Sequence, residues 1–128
     1  MFQKLLWLAV AGGAGTLCRY GLSGAVHRFL DSAFPWGTLV VNVAGCFAAG
    51  ALWTLSEGFA TLSGQTRVII FIGFFGAFTT FSTFMLESAE LVRAAEFAAA
   101  LKNVALQNVI GIVCVAAGMM LVRSLRGG

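Results

Sequence analysis

Apolar and polar positions in this chain alternate in long blocks, and the blocks predict four membrane-crossing helices. No charged residue falls between Lys4 and Arg19, between Asp31 and Glu57, between Arg67 and Glu87, or between Lys102 and Arg123. A helix needs about 20 mostly apolar residues to cross the hydrocarbon core, and the last three blocks reach roughly that length. The predicted spans are residues 2–27, 37–56, 68–95 and 103–122, with a turn at Pro35-Trp36-Gly37 and a polar loop from 57 to 65. His27, Arg28 and Asp31 read as a polar loop after the first span. Trp36 suits the interfacial aromatic belt.

The third block is a poor continuous helix. Gly73 and Gly76 lower its helix propensity, and the Thr79-Thr80 and Ser82-Thr83 pairs offer the backbone competing hydroxyl bonds. Within lipid, broken backbone survives only where side chains, neighbouring helices or a water-filled cavity satisfy it. The expectation is a helix interrupted mid-membrane near residues 76–80, where freed carbonyls suit cations and helix N-termini suit anions. Phe75, Phe78, Phe81 and Phe84 recur every third residue through the same stretch. A phenyl edge is electropositive, so such rings present an anion with a weakly attractive surface that carries no net charge.

Composition narrows the class. With 59 % hydrophobic and only 10 % charged residues, and a mean hydropathy of +0.93, an ordinary soluble domain and a disordered chain are both excluded. The net charge of +3 comes from scattered residues that form no basic patch, which argues against a nucleic-acid partner. Cys18, Cys46 and Cys114 sit in apolar segments without metal-ligand spacing and read as small membrane-buried residues. Lys4 ahead of an apolar run resembles a signal peptide, but residues 12–19 do not continue as a cleavage region. The segment is kept as a membrane helix in one domain, residues 1–128.

Polar residues inside the blocks mark candidate chemistry. Arg19 is costly in lipid and must face a partner or water, or snorkel to the interface. Ala11/Gly15 and Gly12/Thr16 are small-residue pairs that let helices approach closely, and Gly45, Ala49 and Gly50 do the same in the second span. Asn42 is either interhelical glue or a pore-lining amide. Gln107 and Asn108 lie near the start of the fourth span. Glu87 is the acid best placed to line a vestibule, and Glu90 and Arg93 have the spacing of an i,i+3 pair. With four spans, Lys4, Arg67, Arg123 and Arg126 face Arg28, Arg93 and Lys102 across the membrane. Four against three gives almost no positive-inside bias, so insertion in both orientations is expected. Four helices also make a thin pore wall, and an antiparallel, dual-topology homodimer satisfies both points.

The motifs Gly12-Gly13-x-Gly15-x-x-x-Arg19-Tyr20, Gly37-Thr38-Leu39-x-Val41-Asn42-x-x-Gly45 and Gly73-x-x-Gly76-x-x-Thr79-Thr80-Phe81-Ser82-Thr83-Phe84 together resemble the CrcB/Fluc fluoride channels. The resemblance covers nearly the whole chain. It implies an antiparallel homodimer in the cell inner (plasma) membrane that lets fluoride leave the cytoplasm passively. It also implies a structural sodium ion at the dimer interface, held by the backbone carbonyls of Gly76 and Thr79. The fluoride-pore residues it carries over are Asn42, Phe81, Phe84, Thr83 and Ser82, with Asn108 on the fourth helix. Ile112 departs from the polar residue the family often places one turn further on.

The residues support the same chemistry. Fluoride is strongly hydrated, so a pore must replace water with hydroxyls, amides and phenyl edges that hold it weakly enough to release it. No catalytic or cofactor set suggests an enzyme. The alternative is a small dual-topology secondary transporter for cationic drugs, which needs an intramembrane carboxylate. Asp31, Glu57, Glu87, Glu90 and Glu96 all fall at segment ends and argue against it. A purely structural membrane subunit leaves the hydroxyl cluster unexplained.

Overall fold

A computed structural model describes residues 1–30, 32–58 and 62–127. Asp31 and residues 59–61, at the centre of the polar loop, lie outside the described residues. Among the described residues all regular structure is helical: α1 (Phe2–Phe29), α2 (Trp36–Gly58), α3 (Gly64–Val68), a π-helical stretch (Ile69–Phe75), α4 (Gly76–Phe78), α5 (Phe81–Arg93) and α6 (Phe97–Gly127). Four helical stretches are long and apolar enough to cross a membrane: Phe2–Phe29, Trp36–Glu57, Gly64–Arg93 and Phe97–Gly127.

Several boundaries depart from the sequence reading, each for a local reason. α1 continues through His27 and Arg28, which belong to its last turn rather than to a loop, where cationic charge complements the helix dipole. The third stretch begins at Gly64 because Ser63 caps it, its hydroxyl accepting the Thr66 N–H at 3.2 Å. It ends at Arg93, two residues before the expected 95. Ala95 takes a left-handed φ of 60°, Glu96 N–H donates to Leu91 O at 2.9 Å and Ala95 N–H to Val92 O at 3.0 Å. This pair of bonds is a Schellman close, here made without glycine. α6 starts at Phe97, six residues before the expected 103. Lys102 interrupts the apolar block but not the helix, because its ammonium lies over the rings of Phe34 and Trp36, 4.8 and 5.0 Å from their centroids.

Within the third stretch, Gly76 is helical. The residues that leave helical geometry are Thr79 (φ −85°, ψ 159°) and Thr80 (φ −149°, ψ 118°). The π-helical backbone upstream carries Gly73 and three phenylalanines, 71, 74 and 75, and Phe78 follows in α4.

The packed interior is small. Val41, Phe75 and Phe78 form its buried centre, with Leu22, Ala48, Ala49, Ile70, Phe71 and Phe74 around them. α1 meets the third stretch through its small residues. A Cβ on Gly15 would run into the Phe74 carbonyl and come within 3.0 Å of Phe78 N, so only glycine permits this crossing. α2 packs most extensively on α6, where a Cβ on Gly118 would strike the Phe47 carbonyl. The outer faces are apolar and exposed, among them Leu5, Val10, Leu17, Ile72, Ile112 and Leu125. Lipid or another copy of the chain suits such a surface. Cys18 lies on it, exposed, while Cys46 and Cys114 are half-buried, and all three fall within the membrane-length helices.

Candidate functional site

The site is built around the two extended threonines. Thr79 N–H still closes the last helical bond, but the backbone groups of Thr80 need partners that the helix no longer provides. Thr79 N–H and its hydroxyl both donate to Phe75 O, at 3.0 and 2.8 Å. Thr80 N–H donates to Asn42 Oδ1 at 2.8 Å, and Asn42 Nδ2 donates back to Thr80 O at 3.0 Å. One asparagine on α2 therefore satisfies both backbone groups of a residue on the third stretch. Helix resumes because the Thr80 hydroxyl caps α5, accepting Thr83 N–H at 3.2 Å and donating to Thr83 Oγ1 at 3.0 Å.

Asn42 has a second hydrogen to give, and it goes to Gln107 Oε1 on α6 at 3.0 Å. The amide of Asn42 is then fully engaged. Its free-donor role passes to Gln107, whose Nε2 is buried and has no hydrogen-bond partner among the described residues. Asn42, Gln107, Asn108, Phe81 and Phe84 line one cleft of about 230 Å³ together with the threonine pair. The Phe81 and Phe84 rings meet edge to face, with centroids 5.7 Å apart and planes at 76°. Phe84 is 3 % exposed and Phe81 73 %, so one ring is fixed in the wall and the other faces outward.

A second cleft, of about 460 Å³, shares Thr80 with the first. Thr80 and Thr83 line it with Arg19, His27, Thr38 and Glu87. Thr38, in the first turn of α2, donates its hydroxyl to Glu87 Oε1 at 2.6 Å. The carboxylate thereby sits at the positive end of the α2 dipole. His27 Nδ1 donates to Ser23 O at 2.8 Å, and its ring covers Gly37, where a Cβ would collide with the imidazole. Half-buried Arg19 lines this cleft, which gives its guanidinium a polar opening. Glu90 and Arg93 pair at 2.8 Å, as their spacing predicts, on the exposed face of α5.

The residues named from sequence are therefore divided. Asn42, Phe81, Phe84 and Asn108 share the first cleft, Thr83 lies on the second, and exposed Ser82 lines neither. Asn108 spends its amide on its own helix, donating to Val104 O at 2.7 Å. Gln107, noted in the sequence beside Asn108 but left out of the pore residues, is the α6 residue that joins the Asn42 network. A signal was available: residues 100, 103, 107, 111, 118 and 122 recur at helical spacing and form the buried face of α6, and Asn108 is off it. No cluster of three or more His, Cys, Asp or Glu suited to a metal occurs among the described residues.

A family model described as "CrcB-like protein, Camphor Resistance (CrcB)" matches residues 6–119. The chain belongs to the CrcB-like family. It is similar to proteins named "Fluoride-specific ion channel FluC" over almost their full length. One from Desulforapulum autotrophicum is 50 % identical across 96 % of this chain and 98 % of that protein. One from Nitrosococcus oceani is 48 % identical across 92 % and 94 %, and one from Salinibacter ruber 47 % identical across 98 % and 93 %. The motif threonines and Asn42, which carried the family resemblance, are the residues whose hydrogen bonds form the first cleft.

Proposed function

We propose that this chain forms a fluoride-selective channel that lets fluoride leave the cytoplasm down its gradient, and that it is not an enzyme. One observation carries the reading: Gln107 presents a buried amide donor, without a competing acceptor, beside the Phe81–Phe84 ring pair. Such a site offers a small anion a hydrogen bond and phenyl edges but no fixed cation to trap it, as conduction requires. Asn42 acts by holding Gln107 and Thr80 in place. Asn108 joins the path only by giving up its bond to Val104, and Thr83 supplies a hydroxyl on the approach from the second cleft, with the exposed Ser82 hydroxyl beside Thr80.

The pore needs a second wall, because Phe81 is open on a single chain. A second copy, inserted antiparallel, supplies it and fits the four-to-three balance of cationic residues across the membrane. The cell inner (plasma) membrane is the location that serves efflux from the cytoplasm. At the two-fold axis of such a dimer, the Gly76 and Thr79 carbonyls of both copies would hold a structural sodium ion. The residues fit: Gly76 is exposed, and Thr80 N–H, which in continuous helix would close on Gly76 O, is turned to Asn42. Four neutral oxygens suit a monovalent cation better than Mg²⁺, which favours octahedral sites and dehydrates reluctantly. A transporter for cationic drugs is not favoured, since Glu87, the acid nearest the centre of the third stretch, is engaged by Thr38.

The test is fluoride efflux from liposomes carrying the purified protein, followed with a fluoride electrode. Vesicles holding the channel should empty of fluoride and retain chloride. Fluoride retained as in protein-free vesicles would end the reading.

A further inference from the structure

The extended residues Thr79 and Thr80 have a mechanical consequence. In a continuous helix each residue fixes the direction of the next by about 100° of rotation. Two extended residues remove that constraint, so the azimuth of α5 is not inherited from the helix before it. Contacts must set it instead, and α5 carries both rings of the proposed path. At its start, Thr80 is held by Asn42. Further along, Phe84, Ser88 and Leu91 form the buried face, at i, i+4 and i+7.

Ser88 is the informative member. Its hydroxyl donates to Phe84 O at 2.8 Å, a local back-bond common for serine in helices. The same oxygen accepts Asn103 Nδ2 at 3.0 Å, and Asn103 is fully buried on α6. Among the described residues this is the hydrogen bond that joins α5 to α6. Asn103 stands one turn before Gln107 on the same face. One helix face thus holds both the free donor and the tie that reaches the Phe84 carbonyl.

We propose that Ser88 and Asn103 are positioning residues that set the rotation of α5 and so keep Phe84 opposite Gln107. The inference rests on the reading that Phe84 lines the fluoride path. Losing the tie lets α5 turn, which alters ring placement without removing any group from the path. Both residues act through Phe84 and neither touches the anion.

The experiment compares full-length wild type, S88A, S88T, N103L, F84I and the S88A/F84I double variant in liposomes. It reads initial fluoride efflux, the fluoride-over-chloride preference and the melting temperature. S88A and N103L are expected to lower fluoride efflux roughly tenfold, the scale on which small misplacements act. Both should also erode the preference over chloride, which a loss of stability alone would not move. S88T should restore both. In the F84I background S88A should add less than about twofold, because both changes act through one ring. S88A with wild-type efflux and preference but a lower melting temperature would reduce the tie to packing and overturn the inference. F84I with undiminished efflux would instead remove Phe84 from the path, and with it the ground of the proposal. Should N103L fail to fold, the S88A and S88T pair decides alone.

Discussion

Gln107 and Asn108 are neighbours of similar chemistry with opposite prospects. Asn108 is exposed and bonded to its own helix, whereas Gln107 is buried, accepts from Asn42 and has its Nε2 hydrogens to spare. A donor already desolvated by the fold needs no water stripped from it when an anion arrives. Removing it leaves Asn42 with an orphaned buried hydrogen, a cost on the order of 1–3 kcal/mol. Gln107→Leu is therefore expected to lower fluoride efflux by roughly tenfold or more, about 1.4 kcal/mol. Asn108→Leu should stay within about threefold of wild type, since its amide serves a local carbonyl that water or the helix can satisfy. Side-by-side efflux assays of the two variants check the assignment, and the reverse ranking would return the path to Asn108.

At the scale of elements, the third stretch is stable because other elements complete it. Of its two extended residues, Thr79 bonds back to Phe75 and Thr80 is held by Asn42, its second helical part is capped by Thr80, and its end is closed by a Schellman turn at Ala94–Ala95. That turn also predicts how the chain could be improved. Ala95 holds φ 60°, a conformation that costs a side chain with a Cβ about 1–2 kcal/mol and glycine almost nothing. Glycine loses part of this advantage through its freer unfolded chain, so Ala95→Gly should stabilise by about 0.5–1 kcal/mol. A rise in melting temperature in detergent, with efflux unchanged, is the expected result. A fall would mean that the turn is not left-handed in the membrane.

For the whole molecule, the balance of cationic residues and the open Phe81 ring lead to predictions about assembly. A reporter fused to the C-terminus should be detected on both faces of the membrane, and lysines added at one end should shift the population to one orientation. Detection on one face only would exclude the antiparallel dimer. Exchanging sodium for a bulky organic cation should progressively destabilise the dimer as the logarithm of the sodium concentration falls, as mass action requires of a ligand that binds only the assembled state. The measurement is the dimer fraction by crosslinking across a sodium titration. A fraction indifferent to sodium would leave the Gly76 and Thr79 carbonyls without that role.

Block hydropathy was enough to determine the class, because lipid demands long uncharged helices whatever their packing. Four spans, the family and the departure from helix at the threonine pair were legible, the last because hydroxyls and glycines cluster where a helix is hardest to keep. Tertiary structure decided what local pattern leaves open. Lys102 ends an apolar block by charge, but the Phe34 and Trp36 rings let the helix run on around it. Ala94–Ala95 carries the composition of a helix and makes a turn, since the bonds back to Leu91 and Val92 outweigh alanine's preference. The choice of Gln107 over Asn108 depended on which face of α6 meets α2, a rotation of about 100° that neighbouring residues in sequence cannot reveal without the packing between helices.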